Sequence, residues 1–302
     1  MSSKQPIRLV LKVLVLTILF LIIFTISGAL LAFDLPQPPE DKMNAVLLGS
    51  ILMAVVDTLV ITIIVMRSRW HGWRLALATG FSMFGVTTVM SQIETAYFGP
   101  ALGIPSSMLP GIILIFLAIF VVFTPLAVLI LGKWPASDDV DEPNERAVMP
   151  AGQWVVKLAA IAIIYCVLYF GFGFDVAWSN PELRAMYGEG VNQAVFSPDR
   201  LILFQVFRSA LWVLFALPVI RMTKGTPWQV ALIVGLLYAL PMNIAHASPN
   251  PFMPDPSVRL SHFVETASSN FIFGLIVTWL LYRRHSSLRD LFTPSPAGPA
   301  SQ

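Results

Sequence analysis

Eight apolar runs, each long enough to cross a bilayer, leave this chain little choice of fold. They fall at about 9–33, 44–66, 74–98, 107–132, 154–174, 201–220, 228–247 and 260–282, and a spanning helix uses ~20 apolar residues. In hydrocarbon every backbone N–H and C=O must be satisfied from within, which a helix does by itself. The expected fold is therefore an all-α integral membrane protein with eight transmembrane helices. Composition agrees: only 12% of the 302 residues are charged, against about 25% in soluble domains. The expected organisation is a four-helix half at 1–135, an acidic linker at 136–150, a second four-helix half at 151–289 and a disordered tail at 290–302.

Two classes of function are excluded early. A net charge of +2 leaves no electrostatic footprint for nucleic acid. The one cysteine, Cys166, lies inside an apolar run, so neither a disulfide framework nor a zinc–cysteine site is available.

Lysines and arginines in short loops orient a polytopic chain. With a cytoplasmic N-terminus, the inner side collects Lys4, Arg8 and Lys12, Arg67, Arg69 and Arg74, Lys133, Arg146 and Lys157, Arg221 and Lys224, and Arg283, Arg284 and Arg289. The other side holds only Lys42, Arg184, Arg200 and Arg259. Both termini are expected in the cytoplasm. The first run is too long for a signal peptide's apolar core and reads as a retained helix. N-x-[ST] acceptor sites are absent, in keeping with a bacterial inner (cytoplasmic) membrane.

The halves share a plan that resembles a tandem duplication. Each opens on a lysine-started helix (Lys12 and Lys157), continues with a helix ending in arginine (Arg67 and Arg221), and turns towards a tryptophan (Trp73 and Trp228). Two four-span units of this kind would be related by an axis along the membrane normal, as in parallel-repeat transporters.

Ionisable groups at membrane depth cost at least ~2.5 to 3.5 kcal/mol each and face a partner, a bundle interior or a water-filled cavity. They carry the functional expectation. At ~1.5 Å per residue, Arg208 lies roughly 12 Å and Glu265 roughly 9 Å below the outer end of its helix, and Asp57 is near mid-helix. Glu94 with Gln92, His246 with Asn243, and His262 stand at outer helix ends. Spacing aligns His262, Glu265 and Ser269 on one helix face, and Thr87, Ser91 and Glu94 on another. A third stripe runs Gly235, Ala239, Asn243 and His246, where Pro241 kinks the helix and frees a carbonyl beside Asn243. Three carboxyls, Asp57, Glu94 and Glu265, oppose one buried arginine, Arg208, for which Glu265 or Asp57 is the expected partner. A proton, a metal or a cationic substrate would supply the balance.

The expected function is a proton- or cation-coupled transporter or permease of a small solute. Its site residues are Asp57, Glu94, Arg208, Asn243, His246, His262 and Glu265. The alternative is an outward-facing, metal-dependent membrane hydrolase, with His246, His262, Glu265 and Glu94 as ligands of a divalent metal and one carboxylate free to act as base. A third class is a non-catalytic subunit whose polar stripes pack against a membrane-protein partner or a second copy. Haem ligation by His246 and His262 is remoter, since both sit near the surface. In the longest outer loop, Asn180-Pro181-Glu182 spells a helix start, with an N-cap, proline at the first helical position and an acid in the first turn. A short interfacial helix is expected there, either a membrane anchor or a lid over the polar site.

Overall fold

The computed structural model describes residues 4–31, 40–135, 146–188, 197–250, 252–287 and 290. The acidic run from Asp138 to Glu145 and the tail from Pro294 to Gln302, read above as linker and disordered end, lie outside the described residues.

Each apolar run begins a helix close to where hydropathy places it. The helices are α1 Lys4–Leu31, α2 Met43–Arg67, α3 Gly72–Phe84, α4 Met90–Phe98, α5 Met108–Leu131, α6 Ala151–Phe172, α7 Pro181–Gly188, α8 Pro198–Met222, α9 Pro227–Ala239 and α10 Pro256–Leu281. A π turn, Gly85–Val89, joins α3 to α4, and another, Gly173–Ala177, extends α6. Both sit beside the cavity described below, in line with the frequent placement of π turns at functional sites.

Among the described residues seven segments are long and apolar enough to cross a membrane: Pro6–Leu31, Glu40–Arg67, Gly72–Phe98, Met108–Leu131, Ala151–Ala177, Pro198–Met222 and Pro256–Tyr282. The expected eighth, 228–247, is helical only over Pro227–Ala239. It starts well, on a Thr226–Gln229 capping box with Pro227 at the first position. It stops at Pro241, whose ring and missing N–H bar the next turn. Instead of a kink there is a break, and the chain returns through tight turns and a single 3₁₀ turn, Ile244–Ala247. By contrast α5 and α8 run on through Pro125 and Pro218.

Large apolar side chains such as Leu48, Leu77, Val167 and Leu203 are two-thirds exposed or more on the outside of the bundle. That surface would be costly in water and costs nothing against lipid. The core is aromatic and aliphatic, with Phe20, Phe123, Trp212, Tyr238 and Phe273 wholly buried. Phe20 meets Phe123 edge to face at 5.1 Å. The chain is a helical bundle with the character of a polytopic membrane protein.

Within the first half α1 packs on α2 and α5, and α3 on α5; within the second, α6 packs on α8 and α10, and α9 on α10. Between halves α3 meets α8 and α2 meets α9. Helices α9 and α10 cross closely: a Cβ added to Gly274 would lie 2.8 Å from Gly235 Cα, the small-residue contact by which membrane helices approach. At the basic end the loops after α2 and α8 pair antiparallel, Ser68 opposite Thr223. Arg69 N–H donates to Met222 O at 2.7 Å and Lys224 N–H to Arg67 O at 2.6 Å.

Candidate functional site

At the other end of the bundle the helices part around a cavity of about 990 Å³. Its walls come from both halves. Six of the seven expected site residues line it: Glu94, Arg208, Asn243, His246, His262 and Glu265. The stripe Thr87, Ser91 and Glu94 and the stripe His262, Glu265 and Ser269 also reach it.

Asp57 departs from the expectation. Met53, one turn earlier on the same face of α2, reaches the wall, whereas Asp57 lies a turn deeper, 1% exposed, and neither carboxyl oxygen has a hydrogen-bond partner among the described residues. The cause is depth: α2 carries Asp57 below the point where the bundle closes.

Arg208 is paired with Glu94, where Glu265 or Asp57 was expected. Its Nη2 donates to Glu94 Oε2 at 2.9 Å and its Nη1 to Glu94 Oε1 at 3.4 Å, the two-point geometry that a guanidinium offers a carboxylate. Nη1 also donates to Gln205 Oε1 at 3.1 Å, one turn away on α8. The rings of Tyr165 and Phe204 lie 5.8 and 5.6 Å from the guanidinium carbon, within cation–π range. Glu94 retains some exposure, 23% of its side chain against 4% for Arg208. The pair therefore has one face in protein and one on the cavity.

On α10 the second pair is local. His262 Nδ1 and Glu265 Oε2 are 3.0 Å apart, as the i, i+3 spacing allows. Engaging Nδ1 fixes the ring and leaves Nε2 as the nitrogen available to a ligand. His246 meets His262 edge to face, centroids 4.8 Å apart.

Where the helix ends, Asn243 Nδ2 donates to Ala239 O at 2.8 Å, so the carbonyl expected to be freed near Pro241 is taken by the asparagine itself. Asn243 is wholly buried and its Oδ1 has no partner among the described residues. As for a metal, among the described residues no three His, Cys, Asp or Glu side chains are grouped to hold one: Glu94 is turned onto Arg208 and the two histidines contact one another by their rings.

The expected helix over the loop is present. Asn180 Oδ1 accepts from the amides of Glu182 and Leu183 at 3.0 and 3.2 Å. Asn180 Nδ2 reaches across to Ser261 Oγ at 2.9 Å, and Ser257 Oγ donates to Glu182 Oε2 at 2.9 Å. Leu183 packs with Ala177 and Val258. This short helix is thereby tied to the start of α10, beside the cavity rim.

Two participants were missed. Gln205 carries a signal, since it stands at i−3 from Arg208. Tyr165 carries none: a tyrosine in an apolar run looks like any other, yet it lines the cavity and accepts a hydrogen bond from Trp212 Nε1 at 3.0 Å. No protein-family model, no described protein and no solved structure matches the chain.

Proposed function

We propose that this chain is a membrane carrier that binds a small solute in the cavity between its two halves and couples its passage to protons or another cation. The observation that supports this most is the gathering of an Arg208–Glu94 pair and a His262–Glu265 pair at one cavity, within segments that are mostly apolar. Charges there are expensive unless they serve a path or a partner. The antiparallel pairing of Ser68 with Thr223, together with equivalent helix contacts in each half, favours reading the chain as two similar units about an axis along the membrane normal. In this reading α9 and the turns after it form the eighth crossing. The basic end faces the cytoplasm of a bacterium and the cavity opens outward.

Proteoliposomes loaded with a pH-sensitive dye, given an imposed proton gradient and challenged with panels of amines, carboxylates and sugars, test the proposal. At least one panel should drive protein-dependent proton movement, and Glu265→Gln should leave solute movement uncoupled from it. Coupling unchanged in Glu265→Gln would remove Glu265 from that role, and absence of flux with every panel would defeat the carrier reading.

The His262–Glu265 contact favours a second reading, an outward-facing enzyme in which Glu265 orients His262 as a general base. Turnover of an ester or amide substrate, abolished by His262→Gln without loss of folding, would select it over transport.

A further inference from the structure

We infer that the cavity is built for an organic ammonium ion, a protonated amine carried on an apolar body. This deepens the carrier reading by naming the class of solute.

The direction of each hydrogen bond around the cavity carries the inference. A hydroxyl has one hydrogen to donate, and five hydroxyls on the wall give theirs to carbonyls of their own helices. Thr87 donates to Met83 O at 2.7 Å, Ser91 to Thr87 O at 2.7 Å and Thr95 to Ser91 O at 3.0 Å. On α10, Thr266 donates to His262 O at 2.6 Å and Ser269 to Thr266 O at 3.2 Å. A backbone carbonyl only accepts, so these directions are unambiguous. Each hydroxyl is left with lone pairs alone.

The amides follow. Ser91, its hydrogen spent, can only accept from Gln92, so the atom of Gln92 that faces it at 3.0 Å is Nε2 and the other is the oxygen. Asn243 faces the carbonyl of Ala239 with Nδ2, which fixes its oxygen as well. Gln92 Oε1 and Asn243 Oδ1 are both buried acceptors without a donor among the described residues. Asn243, wholly buried and lining the cavity, is the second and independent sign of a ligand.

Charge points the same way. The Glu94 charge is met by Arg208, whose Nη atoms are engaged with Glu94 and Gln205, while the hydrogen-bond partner of Glu265 is the His262 imidazole. Donors on the wall include the hydroxyls of Tyr165 and Tyr169, the Trp178 indole, the amides of Asn250 and Asn270, Arg208 Nε and two imidazoles that can either give or accept. Beside them stand at least seven acceptor groups and two carboxylates, Glu94 and Glu265, for one guanidinium. A primary ammonium brings three donors and a positive charge. The rest of the wall suits its body: Phe98, Phe116, Leu168, Tyr169, Phe170 and Phe174 also line the cavity, and aromatic faces attract cations.

The test uses the full-length protein in nanodiscs of zwitterionic lipid and three probes of one chain length: hexylammonium, hexanol and hexanoate. Calorimetric titration at neutral pH, with empty nanodiscs as blank, should give hexylammonium an affinity at least about tenfold above hexanoate, with hexanol between them. Glu265→Gln and Asn243→Leu should each weaken hexylammonium and leave hexanol unchanged. Equal or tighter binding of hexanoate by the unmodified protein overturns the inference whether or not the variants fold. So does hexylammonium binding that neither folded variant alters. Selective binding without any solute flux would keep the inference and defeat the carrier reading; flux of another solute without ammonium preference would do the reverse.

Discussion

Arg208 on α8 and Glu94 on α4 meet as a fork on a carboxylate, Nη2 to Oε2 at 2.9 Å and Nη1 to Oε1 at 3.4 Å, across the junction between the two halves of the chain. Removing one partner of such a pair strands the other charge in a medium that solvates it poorly. Glu94→Gln should therefore cost about 3–5 kcal/mol of stability. The double variant Glu94→Gln with Arg208→Gln should recover a large part of that loss. Denaturation midpoints in a mild detergent measure both, and equal losses in the single and double variants would contradict the pairing.

Asp57 offers the opposite sign. A buried carboxyl with no partner costs stability in any protonation state, so Asp57→Val should raise the unfolding free energy by about 1–3 kcal/mol. If the residue serves a cation path below the cavity, the same variant should lose proton-coupled flux. Stability gained with flux intact would mark Asp57 as idle.

The α9–α10 crossing has no room for a side chain. A Cβ on Gly274 would come within 2.8 Å of Gly235 Cα and 2.9 Å of Val234 O, both backbone atoms that cannot swing aside. Gly274→Ala should destabilise the protein by about 1–3 kcal/mol. Gly28 on α1 meets nothing within 4 Å, and Gly28→Ala should be neutral or slightly stabilising. Thermal melts of the two variants side by side check the contrast.

At the basic end, His285 is held neutral. Burial, and then the charges of Lys157 and Arg283, lower its pKa from the ordinary 6.5 to about 4, against a smaller opposing pull from Asp290. Lys157 Nζ lies 2.8 Å from His285 Nδ1 and donates to Arg283 O at 2.9 Å. Because the unfolded chain takes up this proton first, the contribution is fully present above pH 6.5 and is lost as pH falls towards about 4. Stability measured across that window should fall with acidification, and His285→Gln should flatten the slope. An unchanged slope would exclude His285 as its source.

Asn180 caps α7 through Glu182 and Leu183. Asn180→Ala should cost about 1 kcal/mol locally, seen as faster hydrogen exchange at those two amides with little change in the middle of α10. Unchanged exchange at those two amides would show that the cap does not hold them.

The spans were legible because hydropathy is a property of consecutive residues, and α7 was legible because a cap, a proline and an acid are local signals. The break at Pro241 was half legible: proline announced a disturbance, while whether it would bend or end the helix rested on what Asn243 could hydrogen-bond. The stripes on α4 and α10 followed from helical periodicity, and their shared cavity did not. Glu94 looked close enough to the interface to be hydrated, and nothing in its neighbours pointed to α8. Tyr165 had no local mark at all.

By itself the sequence determined the class: a helical membrane bundle with costly charges near one end, since spanning lengths and apolar runs admit few other solutions. Only the tertiary structure decided which groups meet across helices, placing Arg208 on Glu94 and Asp57 below the cavity. The reason is rotational. A hydropathy pattern sets how long a helix is, but the turn of each helix about its own axis, and its depth against its neighbours, are set by packing such as Gly274 on Gly235.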